Sequence, residues 1–264
     1  MRTVKLTLQY DGVGFYGFQK QKANENTVQQ CLEDVLSRIF RQNVFIRYAG
    51  RTDRGVHAKS QIIVFSDEGR IPLDKLRIVL NRCLSGMRVT SAQEVESGFD
   101  PRRSAHSRQY EYWMYEGAPS VFLDRHMLHV EELDISLLNE VACRLLGWRD
   151  CKYLCHQPKQ YVRTERCINS VVFERVPFNY LGYAGHAIRM TIEANSFLQH
   201  MVRRIVGLLL SVGFGKLTVE DYEDVINGRA RHAWKMVPAK ALYLSKVEYT
   251  RHELVFGEVE TSEA

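Results

Sequence analysis

The strongest constraint in this sequence is an order of hydrophobic patterns that occurs twice. Residues 1–103 show a strand-like alternation, a helical stripe, two strands, a second helix and a further strand. Residues 104–252 show the same order with one additional short helix, although the two parts share no residue-level repeat. This β-α-β-β-α-β order is typical of ferredoxin-like and RNA-recognition domains. We therefore expect an α+β chain of two ferredoxin-like βαββαβ halves.

Local signals indicate where the elements of the first half begin. Apolar residues alternate from Val4 to Tyr10, which is typical of a half-buried strand. Thr27 and Gln30 have the spacing of a capping box at the start of the first helix. Pro72 is suited to the first turn of the second helix. Further strands are predicted over residues 44–48, 61–65 and 89–95.

Similar signals divide the second half. Asp134 predicts the start of a helix and Gly147 its end. A strongly apolar helix is expected over residues 198–212, and a short helix from Thr218. Residues 253–264 contain glutamates but no lysine or arginine, which predicts an acidic, partly disordered tail. The predicted strands cover residues 104–115, 166–175, 187–195 and 242–250.

Composition and charge narrow the class of protein. The 264 residues are 45% hydrophobic, which excludes a disordered chain. Lysine and arginine number 36 against 31 acidic residues, and the net charge of +5 permits an anionic partner. The sequence shows no membrane span and no secretory leader. None of the six cysteines forms a Cys-x-x-Cys pair, and we expect a reduced, cytoplasmic protein. Cys151, Cys155, His156 and Cys167 do not have the spacing of a common zinc motif, so we expect no metal.

One polar segment, from Ala49 to Ala58, separates two predicted strands and reads Ala-Gly-Arg-Thr-Asp-Arg-Gly-Val-His-Ala. Asp53 lies between Arg51 and Arg54, and neighbouring cations favour an ionised carboxylate. Composition alone is consistent with a hairpin loop whose aspartate accepts hydrogen bonds from turn amides. It is also consistent with an anionic catalytic group, so both interpretations stay open at this point.

The complete motif resembles the signature of the TruA-type tRNA pseudouridine synthases. The similarity spans nearly the whole chain, because further motifs of that family follow in the same order. They are Tyr10-Asp11-Gly12 with Phe15, Gly17 and Gln19, then Thr27-Val28-Gln29, Phe99-x-x-Arg102, Arg108-x-Tyr110-x-Tyr112, Thr164-x-Arg166-x-Ile168 and the helix from Phe197 to Gly207. Several ordered motifs in one chain are much more specific than a single one.

Two segments depart from the family pattern. Where the family has Pro-Pro-x-Gly-Leu-x-Leu, this chain has Ala239 and Ala241 in place of the second proline and the glycine. The family's His-Asp-Phe corresponds to Arg149-Asp150-Cys151. We expect these differences to affect the range of substrates rather than the chemistry.

The resemblance implies the pseudouridine synthase fold, in which the halves form a central antiparallel sheet and a catalytic cleft. It implies a homodimer that isomerises uridine to pseudouridine in the anticodon stem-loop of tRNA, at positions 38, 39 and 40. The reaction breaks the N1–C1′ bond and joins C5 to C1′ without a redox change, so no cofactor is expected. The target base has to be flipped out of its stem.

The resemblance also implies roles for particular residues. Asp53 would be the catalytic carboxylate, either as a nucleophile at C1′ or C6 or as a stabiliser of a cationic or glycal-like sugar. Tyr110 would stack on the flipped uracil and relay a proton. Arg203, on an apolar helix, would pair with Asp53. Arg51 would hold the flipped nucleotide, and Leu244 would contact the uracil.

Arg102 and Arg231 belong to basic clusters suited to phosphate contacts. Structural alternatives exist for several of these residues. Arg51 would pair with a surface carboxylate, Tyr110 and Leu244 would be core residues, and the basic clusters would be solvated faces. Two other function classes compete, namely a non-catalytic tandem RNA-binding protein and a metal-dependent hydrolase with an aspartate nucleophile. The first leaves the Arg-Thr-Asp loop unexplained, and the second normally needs more carboxylates.

Overall fold

A computed structural model describes residues 1–23, 26–180 and 182–250. The chain forms two compact units. The first consists of Met1–His106 and the chain from Ser245 onward, and the second of Ser107–Leu244. The predicted division, 1–103 and 104–252, differs in giving the whole last strand to the second part. The predicted tail, 253–264, lies outside the described residues.

The first unit pairs its strands in an order different from their order in the chain. Strand β1 lies between β3 and β4 and is antiparallel to both, and β2 pairs antiparallel with β3. This gives the order β4-β1-β3-β2. The elements are β1 (Arg2–Tyr10), α1 (Val28–Phe40), β2 (Arg47–Tyr48), β3 (His57–Asp67), α2 (Leu73–Cys83) and β4 (Met87–Val95).

Strand β1 is buried more completely than its alternation predicts. Val4 and Leu6 are fully buried, as expected, but Lys5 on the opposite face is also buried. Its ammonium lies 6.0 Å from the centre of the Tyr249 ring. The prediction of a half-buried strand holds for Thr7 and Gln9, which are half-buried and exposed, but was wrong for Lys5, which lies against Tyr249.

Helix α1 begins where predicted, since the Thr27 hydroxyl accepts a hydrogen bond from the amide of Gln30 at 3.2 Å. The Gln30 side chain donates to Asp34 in the next turn, so the cap depends on Thr27. The strand expected over residues 44–48 is reduced to β2. The amide of Val44 donates to a hydroxyl of α1, and the amide of Ile46 to a carboxylate of α1, so both are satisfied without strand pairing.

The second unit contains β5 and seven further complete helices and strands after it. Strand β9 lies between β5 and β8, and β7 pairs with β8, all antiparallel. Strand β6 pairs parallel with β5. The elements are β5 (Ser107–Tyr115), β6 (Leu128–His129), α3 (Ile135–Cys143), β7 (Gly147–Asp150), β8 (Glu165–Tyr180), β9 (Tyr183–Ala194), α4 (Met201–Gly213), α5 (Val219–Ile226) and β10 (Leu242–Glu248), the last of which ends in the first unit.

Helix α3 ends at Cys143, three residues before the predicted end. The amides of Arg144, Leu145 and Leu146 bond to carbonyls three residues earlier, which tightens the chain into a turn. Gly147 then adopts a φ of 91°, and β7 begins. Across the three described stretches, no helix has the length and apolar character needed to cross a membrane.

Candidate active site

The loop that carries Asp53 connects β2 to β3 in the first unit. Its backbone turns tightly, because the amide of Val56 donates to the carbonyl of Asp53 at 3.1 Å and Gly55 adopts a φ of 81°. Asp53 is half-buried, whereas Arg51 and Arg54 on either side are exposed. The turn thus holds the main chain of the candidate carboxylate in one conformation.

Thr52 anchors this loop to the interior of the first unit. Its carbonyl accepts a hydrogen bond from the amide of Phe18 at 3.1 Å, and its hydroxyl lies 2.8 Å from that of Tyr10. Gln61 of β3 donates to the carbonyl of Gly50 at 2.8 Å and to the Tyr10 hydroxyl at 3.4 Å. Burial raises the pKa of Tyr10 to about 12, so the phenol keeps its proton at neutral pH.

Two glycines of the segment after β1 lie against the loop where no side chain fits. A Cβ at Gly12 would overlap the carbonyl of Val56. Gly17 adopts a φ of 90°, and a Cβ there would lie 3.2 Å from the carbonyl oxygen of Thr52. The opening motif of the sequence is therefore the platform on which the Asp53 loop rests.

His57 ties the other end of the loop to the same segment. Its side chain is buried, and its Nδ1 atom lies 3.2 Å from the amide nitrogen of Gly12. The same nitrogen lies 3.2 Å from a carboxylate oxygen of Asp11. Both ends of the Asp53 loop are thus held by residues 10–18.

Both arginines of the loop contact tyrosine side chains. Arg51 donates from Nε to the hydroxyl of Tyr48 at 3.3 Å. The guanidinium carbon of Arg54 lies 4.4 Å from the centre of the Tyr16 ring. These neutral partners orient the two cations without neutralising them.

Tyr110 and Leu244 lie in the second unit. Tyr110 is on β5, where it is buried and lies opposite Ile192 of β9. Its ring meets that of Phe197 edge to face, with centroids 5.2 Å apart. Leu244 is fully buried near the start of β10.

Arg203 lies on α4 and links this helix to the segment before β10. Its Nε donates to the carbonyl of Val237 at 2.9 Å, and the amide of Val237 donates back to the carbonyl of Arg203 at 3.4 Å. Tyr112 donates to the carbonyl of the adjacent Pro238 at 3.0 Å. Burial raises the pKa of the Tyr112 phenol, and the charge of Arg203 opposes that shift.

The departing residues Ala239 and Ala241 form the ends of a short 3₁₀ turn before β10. Ala241 is fully buried, so the methyl group that replaces a glycine of the family occupies core space. The turn follows directly on the segment that Arg203 holds. The replacement is therefore accommodated beside one of the candidate catalytic residues.

The two predicted phosphate contacts are both at the surface. Arg102 is exposed in a turn of the first unit, where its amide donates to Asp100 at 2.9 Å. Arg231 is exposed in the second unit, with its guanidinium carbon 5.7 Å from the centre of the Tyr153 ring. The first unit thus carries Arg51, Asp53 and Arg102, and the second carries Tyr110, Arg203, Arg231 and Leu244.

Sequence reasoning gave no role to the supports of these residues. The glycines of the opening motif carried a signal, because Gly12 and Gly17 flank aromatic residues directly after a strand. Phe197 also carried one, as a motif aromatic immediately before an apolar helix. The contacts between Thr52, Tyr10 and Gln61 have no local signal, since these residues are more than 40 positions apart or lie on different elements.

Comparison with known proteins identifies the family. A family model described as tRNA pseudouridine synthase matches residues 7–102 and 141–250, which include Asp53 and Arg203, while Tyr110 lies between the matched stretches. A protein named tRNA pseudouridine synthase A from Thermodesulfovibrio yellowstonii is 32% identical over 255 residues, covering 94% of this chain and all of the relative. Proteins of the same name from Caldicellulosiruptor bescii and Halalkalibacterium halodurans are each 34% identical, covering 94% and 96% of this chain and 100% and 95% of the relatives. The chain belongs to the tRNA pseudouridine synthase family.

Proposed function

We propose that this protein isomerises uridine to pseudouridine in tRNA, with Asp53 as the catalytic carboxylate. Family membership supports the reaction. The observation that carries the assignment of Asp53 is its place on a turn that Thr52, Gly12 and His57 anchor from below. A half-buried carboxylate on a fixed backbone is suited to act at a defined point of a substrate.

The reaction needs an anion at the junction of sugar and base. The N1–C1′ bond breaks, the uracil turns, and C5 bonds to C1′, after which the hydrogen on C5 leaves to solvent and N1 takes up a proton. Asp53 either attacks as a nucleophile or stabilises the cationic or glycal-like sugar. The anchored turn serves both routes, since neither requires the loop to move when charge develops.

The proposal extends to the RNA. The resemblance favours uridines 38, 39 and 40 of the anticodon stem-loop, each flipped out of the helix. Arg51 keeps its positive charge beside a neutral phenol, which suits it to hold the phosphate of the flipped nucleotide. Tyr110 stacks on the uracil and relays a proton, with Phe197 fixing its ring. Leu244 contacts the uracil, Arg102 and Arg231 bind phosphates, and Arg203 completes the catalytic set.

We also propose the finer architecture and assembly that the resemblance implies. The order β4-β1-β3-β2 supports a ferredoxin-like first half, and β5-β9-β8 repeats the order β1-β3-β2 in the second. Together they form the fold of this family around a central sheet. A homodimer and a cytoplasmic location complete the proposal, and sedimentation of the purified protein tests the first of these.

Release of tritium from C5 of uridine in transcript tRNA tests the reaction without an added cofactor. The wild-type protein is expected to release one tritium for each uridine that it converts. Asp53→Asn keeps the shape of the side chain and removes its charge, so single-turnover activity should fall below a few per cent. Asp74→Asn, which removes an exposed aspartate of α2, is the matched control and should retain wild-type activity.

The same assay separates the alternatives. Tight tRNA binding by the wild-type protein without any tritium release would favour a non-catalytic RNA-binding protein. Release from uridines outside positions 38, 39 and 40, mapped on the product, would keep the reaction and change the target. Substantial activity of Asp53→Asn would remove Asp53 from its role.

A further inference from the structure

A cavity of about 550 Å³ in the second unit has Arg231 in its wall, but none of the other residues proposed above to contact the RNA or the uridine. Its wall is formed by the segment between β7 and β8, by Arg204 of α4 and by residues 230–234. Lysines, arginines and a histidine line it together with three aromatic rings, and none of the described lining residues is acidic. A cavity with this wall favours an anionic ligand that has a flat ring.

Arg204 is half-buried, whereas Lys152, Lys159 and Arg231 are exposed. The guanidinium carbon of Arg204 lies 4.6 Å from the centre of the Trp234 ring, and its Nη2 donates to the carbonyl of Tyr153 at 3.3 Å. Its Nε is buried and has no hydrogen-bond partner within the part of the chain that the structure describes. Burial lowers the pKa of this guanidinium, so it lacks the solvation of a surface arginine. Because the Arg204 side chain lines the cavity, an anion there would offset part of this lost solvation.

The other basic residues of the wall differ in whether a carboxylate lies beside them. Lys152 forms an ion pair with Asp150 at 3.0 Å, and His232 lies 3.5 Å from Asp221. Among the described residues, no carboxylate forms an ion pair with Arg204 or with the exposed Arg231. Two arginines on one wall are therefore available to an anion.

The aromatic residues that line the cavity indicate which chemical group accompanies the anion. Arg231 lies over the ring of Tyr153 at 5.7 Å, and Trp234 donates from its indole nitrogen to the carbonyl of Arg204 at 2.9 Å. These rings are therefore held in place. Proteins commonly bind single-stranded nucleic acids with aromatic rings beside arginines. The bases stack on the rings, and the phosphates bind the cations.

The departure from the family pattern borders this cavity. Asp150 accepts hydrogen bonds from the hydroxyl of Thr164 at 2.6 Å and from the amide of Lys152 at 3.0 Å. The amide of Cys151 donates to the carbonyl of Thr164 at 3.0 Å. Since Lys152 and Thr164 both line the cavity, residues 149–151 help to shape it.

We propose that this cavity binds one nucleotide of the tRNA other than the target uridine, with its phosphate between Arg204 and Arg231 and its base on the aromatic wall. The inference rests on the proposed function, because it assumes that tRNA is the substrate. It assigns to the second unit a contact that is separate from the chemistry of Asp53. A volume of about 550 Å³ has room for one nucleotide but not for a duplex.

Binding of transcript tRNA over a range of salt concentrations tests the inference. Arg231→Ala and Lys159→Ala are expected to weaken binding several-fold, and Arg231→Ala should flatten the slope of log K against log salt by about one. Lys216→Ala is the matched control, because this exposed lysine of the same unit also lies against an aromatic ring, that of Phe214 at 5.6 Å. It should bind tRNA as the wild-type protein does.

Fluorescence of Trp234 gives a local readout. The chain has three tryptophans, so Trp113→Phe with Trp148→Phe leaves Trp234 alone. Saturating tRNA should quench the emission of Trp234, because a base stacked on the indole ring changes the environment of the fluorophore. Loss of such stacking typically weakens binding by a factor of about 5 to 100.

The possible results distinguish failure of this inference from failure of the proposed function. Unchanged affinity and slope in Arg231→Ala and Lys159→Ala, with unchanged Trp234 emission, would overturn the inference. Quenching by uridine 5′-monophosphate but not by tRNA would identify a free nucleotide as ligand and also overturn it. Tritium release by the wild-type protein in the same preparation keeps the proposed function intact in either case, and its absence would overturn that function instead.

Discussion

Thr52 is buried, whereas its neighbour Asp53 is only half-buried. The backbone that carries this carboxylate is thus fixed by groups on other elements of the first unit. Tyr10 supplies a hydroxyl from β1, Gln61 an amide from β3, and Phe18 a main-chain amide from the segment between β1 and α1. At this scale the site depends on packing and hydrogen bonds as much as on charge.

Gly12 offers a direct test of that dependence. In Gly12→Ala the new methyl group would overlap the carbonyl of Val56, so the loop has to move. We expect a loss of about 1–3 kcal/mol in the free energy of unfolding. A displacement of about 1 Å at Asp53 would lower the single-turnover rate on the order of 100-fold.

Gly14→Ala is the matched control for this variant. A Cβ at Gly14 has no atom within 4 Å among the described residues, so its stability should change by less than about 0.5 kcal/mol. Urea unfolding and single-turnover rates of both variants provide the measurement. Equal stability and equal rates would show that the close approach to Val56 has no consequence for the loop.

At the scale of elements, the first residues of the helices were easier to predict than the last ones. Thr27, Asp134 and Thr218 each cap a helix as the sequence predicts, because a cap depends on residues two or three positions away. The end of α3 was predicted three residues late, since it depends on where β7 finds its partner. Short strands such as β2 and β6 form only by pairing with residues far away in the sequence. A local sequence pattern therefore does not predict them.

The candidate site follows the same rule. The segment around Asp53 could be identified because its residues are contiguous. The contact between Tyr10 and Thr52 joins positions 42 apart, and the pair of Arg203 with Val237 joins positions 34 apart. Such contacts depend on the packed fold, so the sequence alone indicates the candidate carboxylate but not the residues that support it.

Helix α4 is held against the segment before β10 by a second close approach. A Cβ at Gly207 would overlap the carbonyl of Lys235, which is part of the main chain and has no freedom to rotate away. Alanine favours a helix over glycine by about 1 kcal/mol, so the substitution would stabilise an isolated helix. In the protein we expect Gly207→Ala to lower the free energy of unfolding by about 1–3 kcal/mol.

Gly213→Ala in the same helix is the comparison. There the new Cβ would lie 3.1 Å from a methyl group of Leu138, whose side chain is able to adjust. We expect a change of less than about 1 kcal/mol, since the gain in helix preference offsets the contact. Thermal melts of both variants provide the measurement, and a Gly213→Ala protein less stable than Gly207→Ala would contradict this account of α4.

At the scale of the whole molecule, buried phenols limit the pH range of stability. Burial raises the pKa of Tyr10 in the first unit to about 12, and it also raises the pKa of Tyr112 and Tyr222 in the second. Above pH 10 the unfolded chain loses these protons while the folded chain keeps them. Because the unfolded state then binds fewer protons, stability falls as the pH rises.

We expect the stability contributed by Tyr10 to be present below about pH 10 and to be lost progressively toward pH 12, with a total of about 3 kcal/mol. Urea unfolding at pH 7, 9 and 11 measures this loss. Tyr10→Phe should make the loss between pH 9 and 11 smaller, whatever its effect at pH 7. Tyr16→Phe, which removes an exposed phenol, should leave the pH dependence as it is in the wild-type protein, and an identical profile for both variants would exclude Tyr10 as the source.

The last residues of the described chain close the first unit. The ring of Tyr249 packs against Phe99 with centroids 5.2 Å apart, its hydroxyl donates to the carbonyl of Pro101, and the amide of His106 donates to Glu248. During synthesis on a ribosome, the chain from Ser107 to Leu244 is therefore complete before the unit that was made first can finish. A chain cut short before Ser245 keeps every residue of the second unit, but its first unit lacks the contacts that Glu248 and Tyr249 make.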